Sequence, residues 1–124
     1  MRLLLDTHVF IWWSGDEQIA PQAADAIRSA TNEILISAAS IWEAEIKAAA
    51  GRLRLEANLA QETTDHGLSP LDITFEHAVQ AARLPRHHGD PFDRMLVAQA
   101  QLEGLTLVTR DPAFLPYRIP LLAA

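Results

Sequence analysis

The 124-residue chain contains no cysteine, which removes disulfide frameworks and thiolate metal sites together. That absence fits a reducing compartment, and a cytoplasmic protein is expected. Long apolar runs are missing too: Val9–Trp13 is typical of the longest and falls far short of the ~20 residues that span a bilayer. No basic segment precedes a long apolar one, as a secretory signal would require, so no membrane partner is expected. Positive charge is scarce, ten Lys and Arg against 16 Asp and Glu, for a net charge of −6. This balance argues against binding nucleic acid through the whole surface but leaves room for a local basic rim around an acidic site. Internal repeats, low-complexity tracts and linkers are absent, so residues 1–124 are expected to fold as one domain around one core. The hydrophobic content of 49% and charged content of 21% are those of an ordinary globular chain.

Along that chain, Arg2-Leu3-Leu4-Leu5 is a continuous apolar run that stops at Asp6. Continuous rather than alternating apolarity predicts a strand covered on both faces, as in a parallel sheet. A helical segment through Trp13 follows, broken by Ser14-Gly15-Asp16. Pro21 to Ala30 reads as a helix, and Glu33-Ile34-Leu35-Ile36 as a second strand ending at Ser37. From Ala38 to Ala50 the period is helical, with Trp42, Ile46, Ala49 and Leu53 on one stripe expected to face the core and Gly51 ending the helix. Glu56 to His66 reads as a further helix stopped by Gly67. Leu68 to Ile73 holds a short third strand containing Asp72. Thr74 caps a helix to about Leu84, with Phe75, Ala78, Val79 and Ala82 as its apolar face. Leu105 to Thr109 is a second clear buried strand, followed by Arg110-Asp111-Pro112, and Tyr117 to Leu122 offers a last short strand.

The stretch with most chemical content is His87 to Ala100. Asp90 is a good N-cap, Pro91 suits the first helical position, and Asp93 falls where a carboxylate meets free amides and the positive end of the helix dipole. Yet Asp93 shares a face with the apolar Val97 and Ala100, and a carboxylate on a buried stripe is costly unless a charge or metal meets it. Both readings, a plain cap and a ligand, stand at this point. Glu43 is similarly open: it fits a surface ion pair with Lys47 four residues on, worth a few tenths of a kcal/mol, or a place in an acidic site.

Strands alternating with helices predict an α/β fold with a mostly parallel sheet, and such sheets bind ligands beyond the carboxyl ends of their strands. Asp6, Glu43 and Asp111 belong to that edge by position, and Asp93 can join them. Two carboxylates ~5 Å apart repel by roughly 3 kcal/mol at an effective dielectric near 20. Four in one pocket must take up protons or hold a cation. An oxygen-rich set favours a hard ion, Mg²⁺ or Mn²⁺, and with it hydrolysis of phosphodiesters by metal-activated water.

Leu3-Leu4-Leu5-Asp6-Thr7-His8, Ser40-Ile41-Trp42-Glu43, Asp90-Pro91-Phe92-Asp93-Arg94-Met95-Leu96-Val97-Ala98-Gln99-Ala100 and Leu107-Val108-Thr109-Arg110-Asp111 together resemble the PIN-domain family, and within it the VapC toxins of VapBC toxin–antitoxin pairs. The resemblance runs over essentially the whole chain and is most specific at Asp-Pro-Phe-Asp-Arg. It implies a three-layer α/β/α sandwich with a mostly parallel central sheet of four or five strands. It also implies a Mg²⁺- or Mn²⁺-dependent endoribonuclease with an RNA substrate, usually a homodimer. A VapB-like antitoxin would hold the enzyme inactive, and DNA would be met only indirectly through that antitoxin. The family's acidic quartet carries over onto Asp6, Glu43, Asp93 and Asp111, while Asp90 is an additional acid that fits either as a metal ligand or as a cap.

Around these acids, Arg86, His87, His88, Arg94 and Arg110 are candidates for holding RNA phosphates, with solvated loop charges as the plainer reading of each. Adjacent histidines do not readily both point at one ion, so His87 and His88 are read as rim rather than ligands. Thr7 and Thr109 fit either as hydroxyls orienting metal waters or as turn caps. Trp42 is expected in the core. Trp12 and Trp13 fit the core or, with Leu53 and Leu55, a groove for an antitoxin helix. A phosphoacceptor receiver domain is disfavoured because the only lysine, Lys47, does not follow a late strand. The remaining rival is a catalytically silent PIN-like module that binds RNA or protein, although a pure binder has no need to keep four repelling acids together.

Overall fold

The computed structural model describes residues 1–15, 18–55 and 58–124. Five strands, β1 (Arg2–Leu5), β2 (Glu33–Ser37), β3 (Ser69–Leu71), β4 (Thr106–Thr109) and β5 (Leu121–Ala123), pair in the order β3-β2-β1-β4-β5. All four pairings are parallel, with Leu4 opposite both Leu35 and Leu107. The continuous apolar runs are explained by this: β1 and β4 lie inside the sheet and are covered on both faces. Side chains alternate between those faces. Leu3 and Leu5 join one core with Phe10, Ile27 and Ala44, whereas Leu4 joins a second with Leu96, Leu107 and Phe114.

Helices α1 (Thr7–Ser14), α2 (Pro21–Arg28), α3 (Ala38–Ala49) and α4 (Leu59–Asp65) fall between the first three strands, and α5 (Phe75–Arg83) and α6 (Pro91–Glu103) between β3 and β4. The first core is built from residues of α1 to α4 and the second from residues of α5 and α6, which makes three layers, α/β/α. Gly104 closes α6 with φ +66°, a left-handed conformation that L side chains resist. A 3-10 helix at Pro112–Tyr117, unanticipated in the sequence, connects β4 to β5. No helix among the described residues is long and apolar enough to cross a membrane.

Two apolar stripes expected in the core face outward instead. In α3 the inward face is Ala39, Ser40, Glu43 and Ala44, while Trp42 is 60% exposed and Ile46 and Ala49 are exposed with it. Trp42 is therefore not a core residue; its ring meets the edge of Phe92 at 5.2 Å. The physical reason is that Ser40 and Glu43 are committed inward, Ser40 to the Thr7 hydroxyl and Glu43 beneath Lys47. One helix cannot turn both faces to the sheet. In α5 the buried residues are His77 and Ala81, whereas Phe75 is 93% exposed and Ala78, Val79 and Ala82 are exposed too. His77 is drawn in because Nδ1 accepts from the Thr74 amide and Nε2 lies 2.9 Å from Glu103.

Trp12, Trp13, Leu53 and Leu55 pack half-buried against the first core. Arg110 lies over the Trp12 ring at 3.9 Å and Arg28 over Trp13 at 4.8 Å. Asp72 falls just after β3 rather than in it. Asp16 and Glu56, assigned in the sequence to a break and a helix start, lie outside the described residues.

Candidate active site at the carboxyl edge of the sheet

Each acid reaches the site by a short, local route. Asp6 is the residue after β1, held by its amide to the Val108 carbonyl. Glu43 lies in the second turn of α3, which starts directly at the end of β2 with Ser37 as N-cap. Asp111 comes two residues after β4 and caps the 3-10 helix by accepting from the Ala113 amide. Asp93 stands in the first turn of α6. Asp90 caps that helix: its Oδ1 accepts from the amides of Phe92 and Asp93 at 2.8 and 3.1 Å.

Asp6 feels the charge of Glu43, and Asp93 feels both, although the three lie after β1, in α3 and in α6. Burial raises the Asp6 carboxyl above its ordinary value; the hydrogen bond from Thr109 and the nearby His8 oppose the rise, and the charge of Glu43 adds to it. Asp93 is pushed up to about 7 by burial first, against the opposing bond to His88, with Asp90, Asp6 and Glu43 repelling its charged form. Glu43 is 4% exposed, and Lys47 takes only one of its oxygens, Oε2, at 2.9 Å; Oε1 is buried without a partner. The pair with Lys47 and membership of the acidic edge therefore coexist in one side chain. A buried, unpartnered carboxylate oxygen beside two further carboxylates is a donor set short of a cation, and these residues fit a hard divalent ion.

Thr109 ties the edge together. Its hydroxyl donates to Asp6 Oδ2 at 2.8 Å and accepts the Asp111 amide at 3.0 Å, coupling the ends of β1 and β4. The Thr7 hydroxyl donates to Ser40 Oγ, joining α1 to α3. Ser40 and Tyr117 belong to the supporting frame, and Tyr117 carries no local signal in the sequence. Tyr117 Oη accepts from the His88 amide at 3.0 Å and is 3.3 Å from its carbonyl.

The basic rim divides. Arg86, His87 and His88 line a cavity of about 490 Å³ with Gly89 and Pro91 beside the N-terminus of α6. Arg94 lines it too, but its guanidinium donates to the carbonyls of Ala81, Ala82, Leu84, Pro85 and His88, so it braces the end of α5 and the loop after it. Arg110 is likewise occupied, with the Gln18 and Ala124 carbonyls. His87 packs edge-on against Tyr117 at 5.2 Å. His88 departs from the expected rim role: Nε2 lies 2.7 Å from Asp93 Oδ2, and one atom each of His88, Asp93 and Asp111 lie within 4.8 Å of one another.

Comparison with known proteins agrees with this architecture. The family model described as PIN domain matches residues 3–118. Ribonuclease VapC22 of Mycobacterium tuberculosis (strain ATCC 25618 / H37Rv) is 33% identical over 122 residues, covering 95% of this chain and 93% of that protein. Among solved structures, DNA-bound VapBC from Salmonella typhimurium superposes with a TM-score of 0.72 at 23% identity, over 99% of this chain and 98% of the other. VapBC2 from Rickettsia felis, bound to a DNA fragment from its promoter, gives 0.72 at 16% identity over 99% and 98%.

Proposed function

This chain belongs to the PIN-domain family and is a relative of the VapC ribonucleases, and from that premise we propose that it is a Mg²⁺- or Mn²⁺-dependent endoribonuclease, the toxin of a VapBC-type pair. In this reading residues 1–124 form a single PIN domain and work in the cytoplasm, usually as a homodimer. A VapB-like antitoxin silences the site, and promoter DNA is reached only through that antitoxin.

The observation that supports the reading is that Asp6 and Asp93 are buried with Glu43 among the charges that raise their cost of ionisation, and that Glu43 Oε1 is itself buried and unpartnered. A structural role does not explain the burial of Asp6 and Asp93, because each is costly to ionise there unless a cation joins it. Asp6, Glu43, Asp93 and Asp111 would hold the ion. Asp90, whose Oδ1 serves two amides, acts mainly to fix the first turn of α6. With a divalent ion bound, these residues would have a means to activate water and to offset charge developing on the phosphodiester.

The chain's own residues do the rest. Thr109 fixes Asp6 with a hydroxyl donor and Lys47 fixes Glu43, so two of the carboxylates are oriented before substrate arrives. Arg86 and His87, exposed at the adjoining cavity, offer positive or titratable groups to the phosphates on either side of the scissile bond. Arg94 and Arg110 contribute through the shape of that rim rather than by free guanidinium groups.

Cleavage of a mixed RNA pool by the purified chain tests this. Activity with Mg²⁺ or Mn²⁺, its loss in EDTA, and its loss in D6N and D93N proteins that remain folded by circular dichroism are expected. Full activity in EDTA, or in either folded variant, would overturn the nuclease reading and leave a binding module.

A further inference from the structure

We propose that His88 is a direct nitrogen ligand of the divalent ion, alongside Asp93 and Asp111, and that it biases the site towards ions with affinity for imidazole, Mn²⁺ over Mg²⁺. The proposal rests on the metal-dependent reading above and adds a donor that lies outside the acidic quartet. His88 Nε2 is 2.7 Å from Asp93 Oδ2. Ligands ~2.1 Å from an octahedral ion stand roughly 3.0 Å apart when adjacent and ~4.2 Å when opposite. The three ligand atoms of His88, Asp93 and Asp111 all lie within 4.8 Å, so movements of a few tenths of an ångström close the set around one ion.

The imidazole is also held as a ligand needs to be. Tyr117, itself buried, engages both the amide and the carbonyl of His88 through one hydroxyl. Arg94 takes the same carbonyl at 3.3 Å, and the ring stands edge-on to the fully buried Phe114 at 6.4 Å. These contacts define where the ring can point, which is the part outer partners usually play for a metal-bound histidine. The objection that neighbouring histidines cannot share one ion does not apply, because His87 turns to the Tyr117 ring and leaves His88 alone at the acids.

Independent support for a cation comes from Glu43. Glu43 Oε1, buried and unpartnered, belongs to a carboxylate near enough to raise the ionisation cost of Asp93. The shared contact between His88 Nε2 and Asp93 Oδ2 is then a bridging hydrogen bond in the metal-free protein; on binding, the bridging proton would leave to solvent, and the ring, keeping its other proton on Nδ1, would offer the Nε2 lone pair to the ion beside Oδ2. Mg²⁺ prefers oxygen and water ligands, whereas imidazole raises affinity for transition ions. The competing role for His88 is as an outer partner that only orients Asp93.

Pulsed electron paramagnetic resonance of the full chain loaded with Mn²⁺ separates these roles, because only a directly bound imidazole gives strong ¹⁴N modulation. Wild-type protein is expected to show it, H88Q to lose it, and H8Q and H87Q to keep it. Gln preserves a hydrogen-bond partner for Asp93, so calorimetric titration should still find the ratio of Mn²⁺ to Mg²⁺ affinity reduced ~10-fold in H88Q. Bound Mn²⁺ without ¹⁴N modulation in the wild type, or an unchanged affinity ratio in H88Q, would overturn the role of His88 while leaving the nuclease reading intact. Failure of the folded wild-type chain to bind Mn²⁺ at all would overturn both. The spectrum of the wild type decides by itself if H88Q does not fold.

Discussion

Replacing Asp93 with Asn should make the metal-free protein more stable, and by an amount that depends on pH. The folded chain holds this carboxyl near 7 instead of its ordinary 3.8. At about 1.4 kcal/mol per pKa unit, that gap of about 3 units is a penalty of roughly 4 kcal/mol on the charged form. Water reaches part of this half-buried side chain, and screening reduces the figure to ~2 kcal/mol. The sign follows from proton counts. Between about 3.8 and 7 the folded state keeps a proton that the unfolded state has released, so stability falls as pH rises through that window. Above it the penalty is complete, and below it there is none. Asn carries no charge and keeps an acceptor for His88. In EDTA at pH 8, D93N should therefore melt higher than wild type by roughly 6–9 °C, taking about 2 cal/mol/K of unfolding entropy per residue. At pH 5 the gain should shrink to about a third of that. Calorimetry or urea unfolding at the two pH values measures it. Equal stabilities at pH 8, or a larger gain at pH 5, would refute the claim that this carboxylate is buried among other acids.

The supporting frame gives further expectations. R94K should destabilise by about 2 kcal/mol in urea unfolding, because an ammonium cannot reproduce a planar group that meets five carbonyls. W42A should cost under ~1 kcal/mol while F114A costs roughly 3–5 kcal/mol, since the first ring is 60% exposed and the second fully buried; equal costs would contradict the assignment of the α3 faces. T109V removes the donor to Asp6 and the acceptor for Asp111, and is expected to lower both stability, by about 1–2 kcal/mol, and Mn²⁺ affinity.

Much of this was legible in the sequence where one physical rule acted alone. Leu3–Leu5 and Leu107–Val108 are apolar without alternation because both their faces are covered, and that reads directly as an interior parallel strand. Asp90-Pro91 and Thr74 announce their helices because capping is local. Helical periodicity failed in α3 and α5, where polar groups compete for the inward face. Ser40 and Glu43 displace Trp42 to solvent, and His77 does the same to Phe75. In both helices the apolar period points to the largest side chains, and in both a hydrogen-bonded polar residue holds the buried stripe instead. The acids were legible individually, because Asp6 and Asp111 follow strands, Asp93 stands in the first turn of a helix and Glu43 in an early turn of the helix after β2. The Thr109 bridge to Asp6 spans 103 positions and the Tyr117 tether that sets His88 beside Asp93 spans 29, which no local pattern reports.

In the proposed reading, carboxylates from four separate segments hold one divalent ion at the carboxyl edge of the sheet. Crystals of the chain soaked in Mn²⁺, with anomalous diffraction recorded at the manganese edge, test it most directly. A peak within ~2.3 Å of oxygens from Asp93 and at least two of Asp6, Glu43 and Asp111 is expected. A manganese peak found only elsewhere on the surface, with these side chains unmoved, would contradict the account.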